Sequence, residues 1–167
     1  NMKEKITRQL EYEDANPNPE YLIKSIAEQG YSLETAIADL IDNSISAKAD
    51  KIEILTDVTN KEYLKMFIVD NGSGMTKKEL IQNLKFQSSS VEEKRKETDL
   101  GRFGLGLKTA SFSQTRKFTV ISRKKGEVYN ARTWDVDYLK KTGKRRIIIN
   151  TDSEINKYLR EYNSCSD

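Results

Sequence analysis

Asp39 and Asn43 stand four residues apart in a stretch whose apolar positions recur at helical spacing, so both side chains leave one helix face, nearly one above the other. A carboxylate placed there can orient or deprotonate a water. An amide oxygen beside it can ligate Mg²⁺, a cation that prefers oxygen donors and takes few protein groups when phosphate and water supply the rest. The polar face of a solvated helix has the same residues, so the pair alone does not decide. Asp70 follows Met66-Phe67-Ile68-Val69 and precedes Gly72 and Gly74, which puts a carboxylate at a strand end where the chain turns sharply. As an acceptor-only group it complements the exocyclic amine of adenine; a hairpin or Asx turn cornered on Asn71-Gly72 reads identically. Gly101, Gly104 and Gly106 form a third group. Without Cβ atoms there, backbone N–H groups can crowd a phosphate, a following helix adds its positive end, and Lys108 one turn inside adds charge. A flexible loop also needs glycine.

Composition excludes much else. The glycines read G-x-x-G-x-G, not the G-x-G-x-x-G of dinucleotide folds, and no G-x-x-x-x-G-K-[ST] occurs, so a P-loop is excluded. With no histidine among 167 residues, Ser-His-Asp hydrolysis, His-based zinc sites and phosphorelay from a histidine in this segment are excluded. Lys and Arg number 29 against 26 Asp and Glu, a balance that argues neither for nor against nucleic acid. The single Cys165 excludes an internal disulfide framework, and no signal peptide or bilayer-spanning apolar run is recognisable, so a cytosolic protein without membrane contact is expected. Asn1 before Met2 reads as an appended residue, and the polar end 163–167 as a cut in a loop of a longer protein.

These groups need elements to hold them. The prolines of Asn16-Pro17-Asn18-Pro19 separate an N-terminal arm, residues 1–20, from a domain spanning 21–162. A helix over Glu20–Gln29 closes at Gly30; Ser32 caps a longer one over Leu33–Ala47, with Leu33, Ala36, Ile37, Leu40, Ile41 and Ile45 on its apolar side. Strands are predicted at Ile52–Val58 and Lys65–Val69, and the Thr76/Glu79 capping box starts a helix over Thr76–Lys85. From Phe86 to Leu100 no apolar period survives, and the run Glu92 to Glu97 marks a solvated face or a lid that orders on phosphate. A helix is expected over Leu105–Phe112, strands over Lys117–Arg123, Glu127–Trp134 and Arg145–Asn150, the first two a hairpin through Lys124-Lys125-Gly126, then a helix capped by Ser153 through Tyr162. Tyr129 and Trp134 are assigned to sheet packing. This order predicts an α/β sandwich, mostly antiparallel strands with helices on one face.

In this order and at this spacing the three groups resemble the Bergerat fold of the GHKL ATPases, over roughly Tyr21 to Arg123. Ala38-Asp39-Leu40-Ile41-Asp42-Asn43-Ser44 is similar to the family's N box, Asp70-Asn71-Gly72-Ser73-Gly74-Met75 to its first glycine box, and Gly101-Arg102-Phe103-Gly104-Leu105-Gly106-Leu107-Lys108-Thr109 to its second. The wording is closest to MORC-like and related bacterial ATPases, with heat-shock-chaperone-like and MutL-like members beside them. Histidine kinases usually carry Asn where Asp39 stands, which sets that branch aside.

The resemblance implies a two-layer Bergerat sandwich that binds ATP and Mg²⁺. It implies Asn43 as the metal ligand, Asp39 in the place of the catalytic base, Asp70 selecting adenine, and Ala47, Gly72, Gly74, Met75 and Ser90 among the nucleotide contacts. Gly101, Arg102, Phe103, Gly104, Leu105, Gly106, Leu107 and Lys108 would wrap the phosphates. A lid over 86–100 and an ATP-dependent homodimer formed through the N-terminal arm are also implied, with DNA or protein clients reached through further domains. Two positions depart from the family: Asp39 replaces the usual Glu and reaches one methylene less far, and Ser46 stands where several relatives have Asp. The family's Gly-Thr strand and phosphate-sensing lysine are not visible in this segment. An ATPase working as a conformational clamp and a nucleotide-gated interaction module with little hydrolysis are therefore both open, whereas a protein kinase of the mitochondrial type lacks a recognisable substrate element.

Overall fold

A computed structural model describes the backbone of residues 19–86, 100–144 and 146–166, and their side chains except those of residues 19, 20, 22 and 100–105. The expected arm, nearly all of the lid segment, Ser90 and the Glu92 to Glu97 run lie outside the described residues. In chain order the elements are α1 (Pro19–Ala27), α2 (Leu33–Ser46), β1 (Ile52–Asp57), β2 (Lys65–Asp70), α3 (Lys77–Leu84), α4 (Leu100–Gln114), β3 (Lys117–Ser122), β4 (Asn130–Asp135), α5 (Val136–Thr142), β5 (Ile148–Ile149) and α6 (Asp152–Ser166).

All strand pairing is antiparallel, in an α/β fold of the predicted class. β1 and β2 form one ribbon in which Ile52 faces Asp70 and Asp57 faces Lys65. β3, β4 and β5 form a second sheet, with Phe118 opposite Trp134 and Arg132 opposite Ile149. Because strand side chains alternate, Trp134 and Arg132 share one face with Phe118 and Val120, and Thr133 takes the other. The Trp134 face carries the core, where Ile23 and Ile26 of α1, Leu80 and Leu84 of α3, Phe112 of α4 and Val136 and Leu139 of α5 close over the sheet. Phe112 meets Phe118 edge-on at 4.9 Å between centroids and Trp134 at 5.8 Å, the tilted geometry that aromatic quadrupoles favour. On the other face Tyr158 and Lys157 of α6 border a small cavity with Thr133, and α6 also packs on the β1–β2 ribbon, Tyr162 meeting Phe67 of β2 and donating to Glu53 of β1.

Several boundaries depart from expectation, each for a local reason. Asp135 ends β4 and its Oδ1 accepts from the backbone N–H groups of Asp137 and Tyr138 at 2.9 and 3.1 Å. That cap starts α5, a helix the sequence did not announce. β4 opens at Asn130, not Glu127, and β5 is only Ile148–Ile149, not the whole of Arg145–Asn150. α6 is capped by Thr151, not Ser153: Thr151 Oγ1 accepts from Glu154 N at 3.2 Å while Glu154 Oε2 accepts from Thr151 N at 3.1 Å, a reciprocal box that outcompetes a lone serine. The helix also continues through 163–166, read from sequence as loop. On α2, Leu33 and Ile45 are exposed, while Ser44 joins Ala36 in the buried stripe.

Candidate functional site

α2 supplies the first part of the site. Ser32 Oγ accepts from Thr35 N at 3.1 Å, the cap expected from sequence, and fixes the rotation of the helix from its first turn. Asp39 is half-buried, and one carboxylate oxygen, Oδ2, accepts a short hydrogen bond from the Tyr31 hydroxyl. Tyr31 is itself anchored from α4, since its carbonyl accepts from Gln114 Nε2 at 2.8 Å. One turn further on, Asn43 is also half-buried, and its amide makes no side-chain hydrogen bond among the described residues. Among the described residues, an acid with one oxygen unbonded and an amide without a side-chain partner thus occupy successive turns of one face.

The second part is the end of β2. Asp70 Oδ2 accepts from Ser44 Oγ at 2.7 Å, and Oδ1 accepts from Gly72 N at 2.9 Å. The latter bond is an Asx turn, so the bland reading of Asp70 holds locally. It does not compete with the other, because a carboxylate offers about four acceptor positions and these bonds use two. Asn71 fastens the turn from outside, accepting from Asp50 N at 3.1 Å and Lys51 N at 3.0 Å. Ser73 N donates to Ala47 O at 2.8 Å, which brings the C-terminal end of α2 against the same turn.

Gly72 and Gly74 serve the fold itself. A Cβ on Gly72 would lie 2.9 Å from both the Cβ and the carbonyl oxygen of Ala47. At Gly74, with φ +66°, a Cβ would sit 1.8 Å from the carbonyl oxygen of Arg123. The absent side chain thus admits the backbone just past the end of β3. Met75 seals the joint, its N–H donating to Ser122 Oγ at 2.9 Å and its sulfur accepting from Asn83 Nδ2 at 3.3 Å.

The third part differs most from expectation. α4 begins at Leu100, five residues before the predicted start, so Gly101, Arg102, Phe103, Gly104, Leu105 and Gly106 form its first turns and not a loop ahead of it. Leu100, Phe103 and Leu107 keep a helical apolar period through the glycines, which explains the earlier start. Free amides at such an end belong to the first four residues, 100–103. A Cβ at Gly106 would meet nothing within 4 Å among the described residues. α4 packs against α2, the helix of Asp39.

Lys108 points elsewhere. Its ammonium is buried and donates to Asn83 O at 2.7 Å and Lys85 O at 3.0 Å, the unpaired carbonyls at the end of α3, while Trp134 Nε1 takes Leu84 O at 2.9 Å. Burial pushes its pKa down to about 8. Lys108 thus caps the end of α3, with two of its three ammonium protons engaged inside the core. Leu107 likewise packs on the core. Tyr31, Ser44 and Ser122 were the participants missed from sequence. Only Ser44 left a signal, a hydroxyl in phase with Ala36 and Leu40.

Two antiparallel sheets with helices packed on them are consistent with the sandwich of a GHKL-type ATPase domain. The profile of the family described as "Histidine kinase-, DNA gyrase B-, and HSP90-like ATPase" matches residues 31–166, and the chain belongs to that family. Among curated relatives it is 31% identical over 93 residues to ATPase morc-1 of Caenorhabditis elegans, covering 55% of this chain and 10% of the relative. It is 32% identical over 93 residues to ATPase MORC2B of Mus musculus, covering 53% and 9%. Chaperone protein HtpG of Rickettsia typhi matches at 37% over 101 residues, covering 53% and 15%. The chain therefore spans only a small part of the length of these relatives. No helix among the described residues is long and apolar enough to cross a membrane.

Proposed function

We propose that this domain binds ATP with Mg²⁺ between α2, the turn after β2 and the start of α4, and that the whole protein hydrolyses it to ADP and phosphate as a conformational clamp. The observation that carries the proposal is the Ser44–Asp70 hydrogen bond of 2.7 Å, which holds the base-selecting acid in fixed register with the helix bearing Asp39 and Asn43. Asp70 keeps acceptor positions for the adenine amine, with Ala47, Gly72, Gly74 and Met75 around the base. Asn43 fits a magnesium ligand: its amide is otherwise unengaged, and no group of three or more acidic, Cys or His side chains among the described residues builds a cage of its own. That suits a cation held mainly by phosphate and water. Bound Mg²⁺ would neutralise charge on the phosphates. Asp39 orients the attacking water through the oxygen that Tyr31 leaves free, and the start of α4 over residues 101–108, whose free amides are those of 101–103, receives the phosphates with Ser90 from the lid. Lid closure over 86–100, dimerisation through residues 1–20, a cytosolic setting and clients reached through further domains belong to the same proposal.

A second reading is a nucleotide-gated interaction module that holds ATP with little turnover. It is favoured by the short acid at position 39, half engaged by Tyr31. Single-turnover assays on the full-length protein decide between the two. Release of phosphate that Asp39→Ala abolishes while ATP affinity is kept supports the ATPase; lasting ATP occupancy in the wild type supports the module. Asp70→Asn with unaltered ATP affinity would remove the adenine assignment from both.

A further inference from the structure

Away from the nucleotide face, a cavity of about 830 Å³ opens between the end of α3, β4, α5 and β5. Its walls are apolar, chiefly Ile81, Phe86, Trp134 and Ile147. The charged side chains lining it are Lys85, Arg132 and Arg146; no carboxylate among the described residues joins them. Arg132 carries the inference. It is only 6% exposed, yet its one hydrogen bond among the described residues runs from Nη1 to the neighbouring Ala131 carbonyl at 2.7 Å, and no described carboxylate pairs with it.

A guanidinium has five N–H donors and stays charged at any physiological pH, so donors not bonded to protein call for water or an anion, and no described carboxylate supplies one. Position on β4 explains why it is there: Arg132 lies between Val120 and Ile149 on the same sheet face as Trp134, where alternation would place an apolar residue. All the described buried side-chain nitrogens and oxygens have partners, so the remaining guanidinium donors are those open to the cavity. A basic group at the floor of an apolar chamber, with further cations beside it, is the complement of an amphipathic anion. The volume lies within the range of small-molecule sites, roughly 300 to 1,000 Å³.

We propose that this cavity is a second ligand site that takes a small organic anion, an aromatic or aliphatic body against Trp134, Phe86 and Ile147 with a carboxylate or phosphate group on Arg132 and Arg146. It is distinct from the nucleotide face, since α3 separates them: its N-terminal end follows Met75 and its C-terminal end borders the cavity.

The test uses the full-length chain saturated with ATP, titrated by fluorescence with the aromatic anion anilinonaphthalene sulfonate and with its uncharged counterpart phenylnaphthylamine. One saturable anion site per chain is expected, and Arg132→Met should weaken the anion about tenfold or more, the worth of a charge-assisted hydrogen bond, while leaving the neutral compound unaffected. Decanoate and decyl phosphate as competitors then separate carboxylate from phosphate preference. The proposal is overturned by the absence of saturable binding, the outcome if a polypeptide segment fills the cavity instead. It is equally overturned by equal affinity for the charged and neutral probes, or by a folded Arg132→Met that binds the anion as the wild type does. If Arg132→Met fails to fold, Arg146→Met at the exposed rim decides: weaker anion binding supports the site and unchanged binding overturns it.

Discussion

Ser44 and Asp70, 26 residues apart in sequence, are joined by a hydrogen bond of 2.7 Å from the serine hydroxyl to the carboxylate, and this bond ties the last turn of α2 to the tip of β2. Ser44 is buried, so its hydroxyl has no solvent to fall back on. Ser44→Ala is expected to cost about 1 kcal/mol of stability, the usual net worth of such a bond, and to weaken ATP binding several-fold by freeing the Asp70 rotamer. Ser44→Thr, which keeps the hydroxyl, should restore part of the affinity. Denaturant midpoints and calorimetry with ATP read the two effects separately; wild-type affinity in Ser44→Ala would mean that Asp70 needs no such positioning.

The glycines make opposite predictions, although the sequence presents them as two similar boxes. At Gly74 a methyl would meet the Arg123 carbonyl oxygen at 1.8 Å on a backbone with φ +66°. Gly74→Ala should therefore part the turn from β3, cost several kcal/mol and give little folded protein. Gly106→Ala, inside a helix, meets nothing within 4 Å among the described residues and should raise stability by about 1 kcal/mol on propensity alone. If phosphate lies against this position, the same substitution lowers ATP affinity; a variant that is more stable and binds ATP unchanged would take Gly106 out of the phosphate contacts.

What could be read from the chain was largely what lies between neighbours. Ser32 and Thr76 both cap the helices expected of them, since capping is a matter of three or four residues. The hairpin of β3 and β4 was visible for the same reason. Asp39, Asn43 and Asp70 were recognisable because their types and spacing already carry chemistry, but what holds them was not: Tyr31 reaches Asp39 from the loop before α2, and Ser44 meets Asp70 only once the helix lies on the ribbon. Lys108 shows the limit from the other side. Its place beside a glycine box made a phosphate contact the natural expectation, yet the carbonyls of α3 and the ring of Phe86, 5.4 Å from its ammonium, are closer claims that only packing reveals. α5 escaped because an acid ending a strand is a common residue until the chain turns back over it.

The burial of Lys108 has a signature in the pH dependence of stability. Below about pH 8 its ammonium is charged in the folded and the unfolded chain alike, and the whole desolvation cost is borne. Between that value and the ordinary lysine range near 10.4, the unfolded chain holds a proton that the folded chain has released, so stability rises with pH. The slope from this group is at most about 1.4 kcal/mol per pH unit. Lys108→Met lacks it. Urea midpoints of the two proteins, compared from pH 7.5 to 10, should diverge in favour of the wild type only above about pH 8. A difference constant across that window would contradict a buried ammonium at this position.

Tyr31 offers a way to separate positioning from binding at Asp39, the carboxylate proposed to orient the attacking water. Its hydroxyl holds Oδ2 of Asp39 and its carbonyl is held in turn by Gln114 of α4 at 2.8 Å, so the acid is steadied by two elements besides its own helix. No part of Tyr31 is assigned to nucleotide contact. Tyr31→Phe keeps the ring and the backbone bond while releasing the carboxylate, and a carboxylate free to rotate spends less time aimed at the attacking water. The expected result in the full-length protein is a several-fold fall in kcat with ATP affinity unchanged, whereas Gln114→Ala, one step further from the acid, should fall less. Equal losses in affinity and turnover would instead make Tyr31 part of the binding surface. A rise in phosphate release would show that the hydroxyl restrains Asp39, which is the behaviour of a domain built to hold ATP and not to spend it.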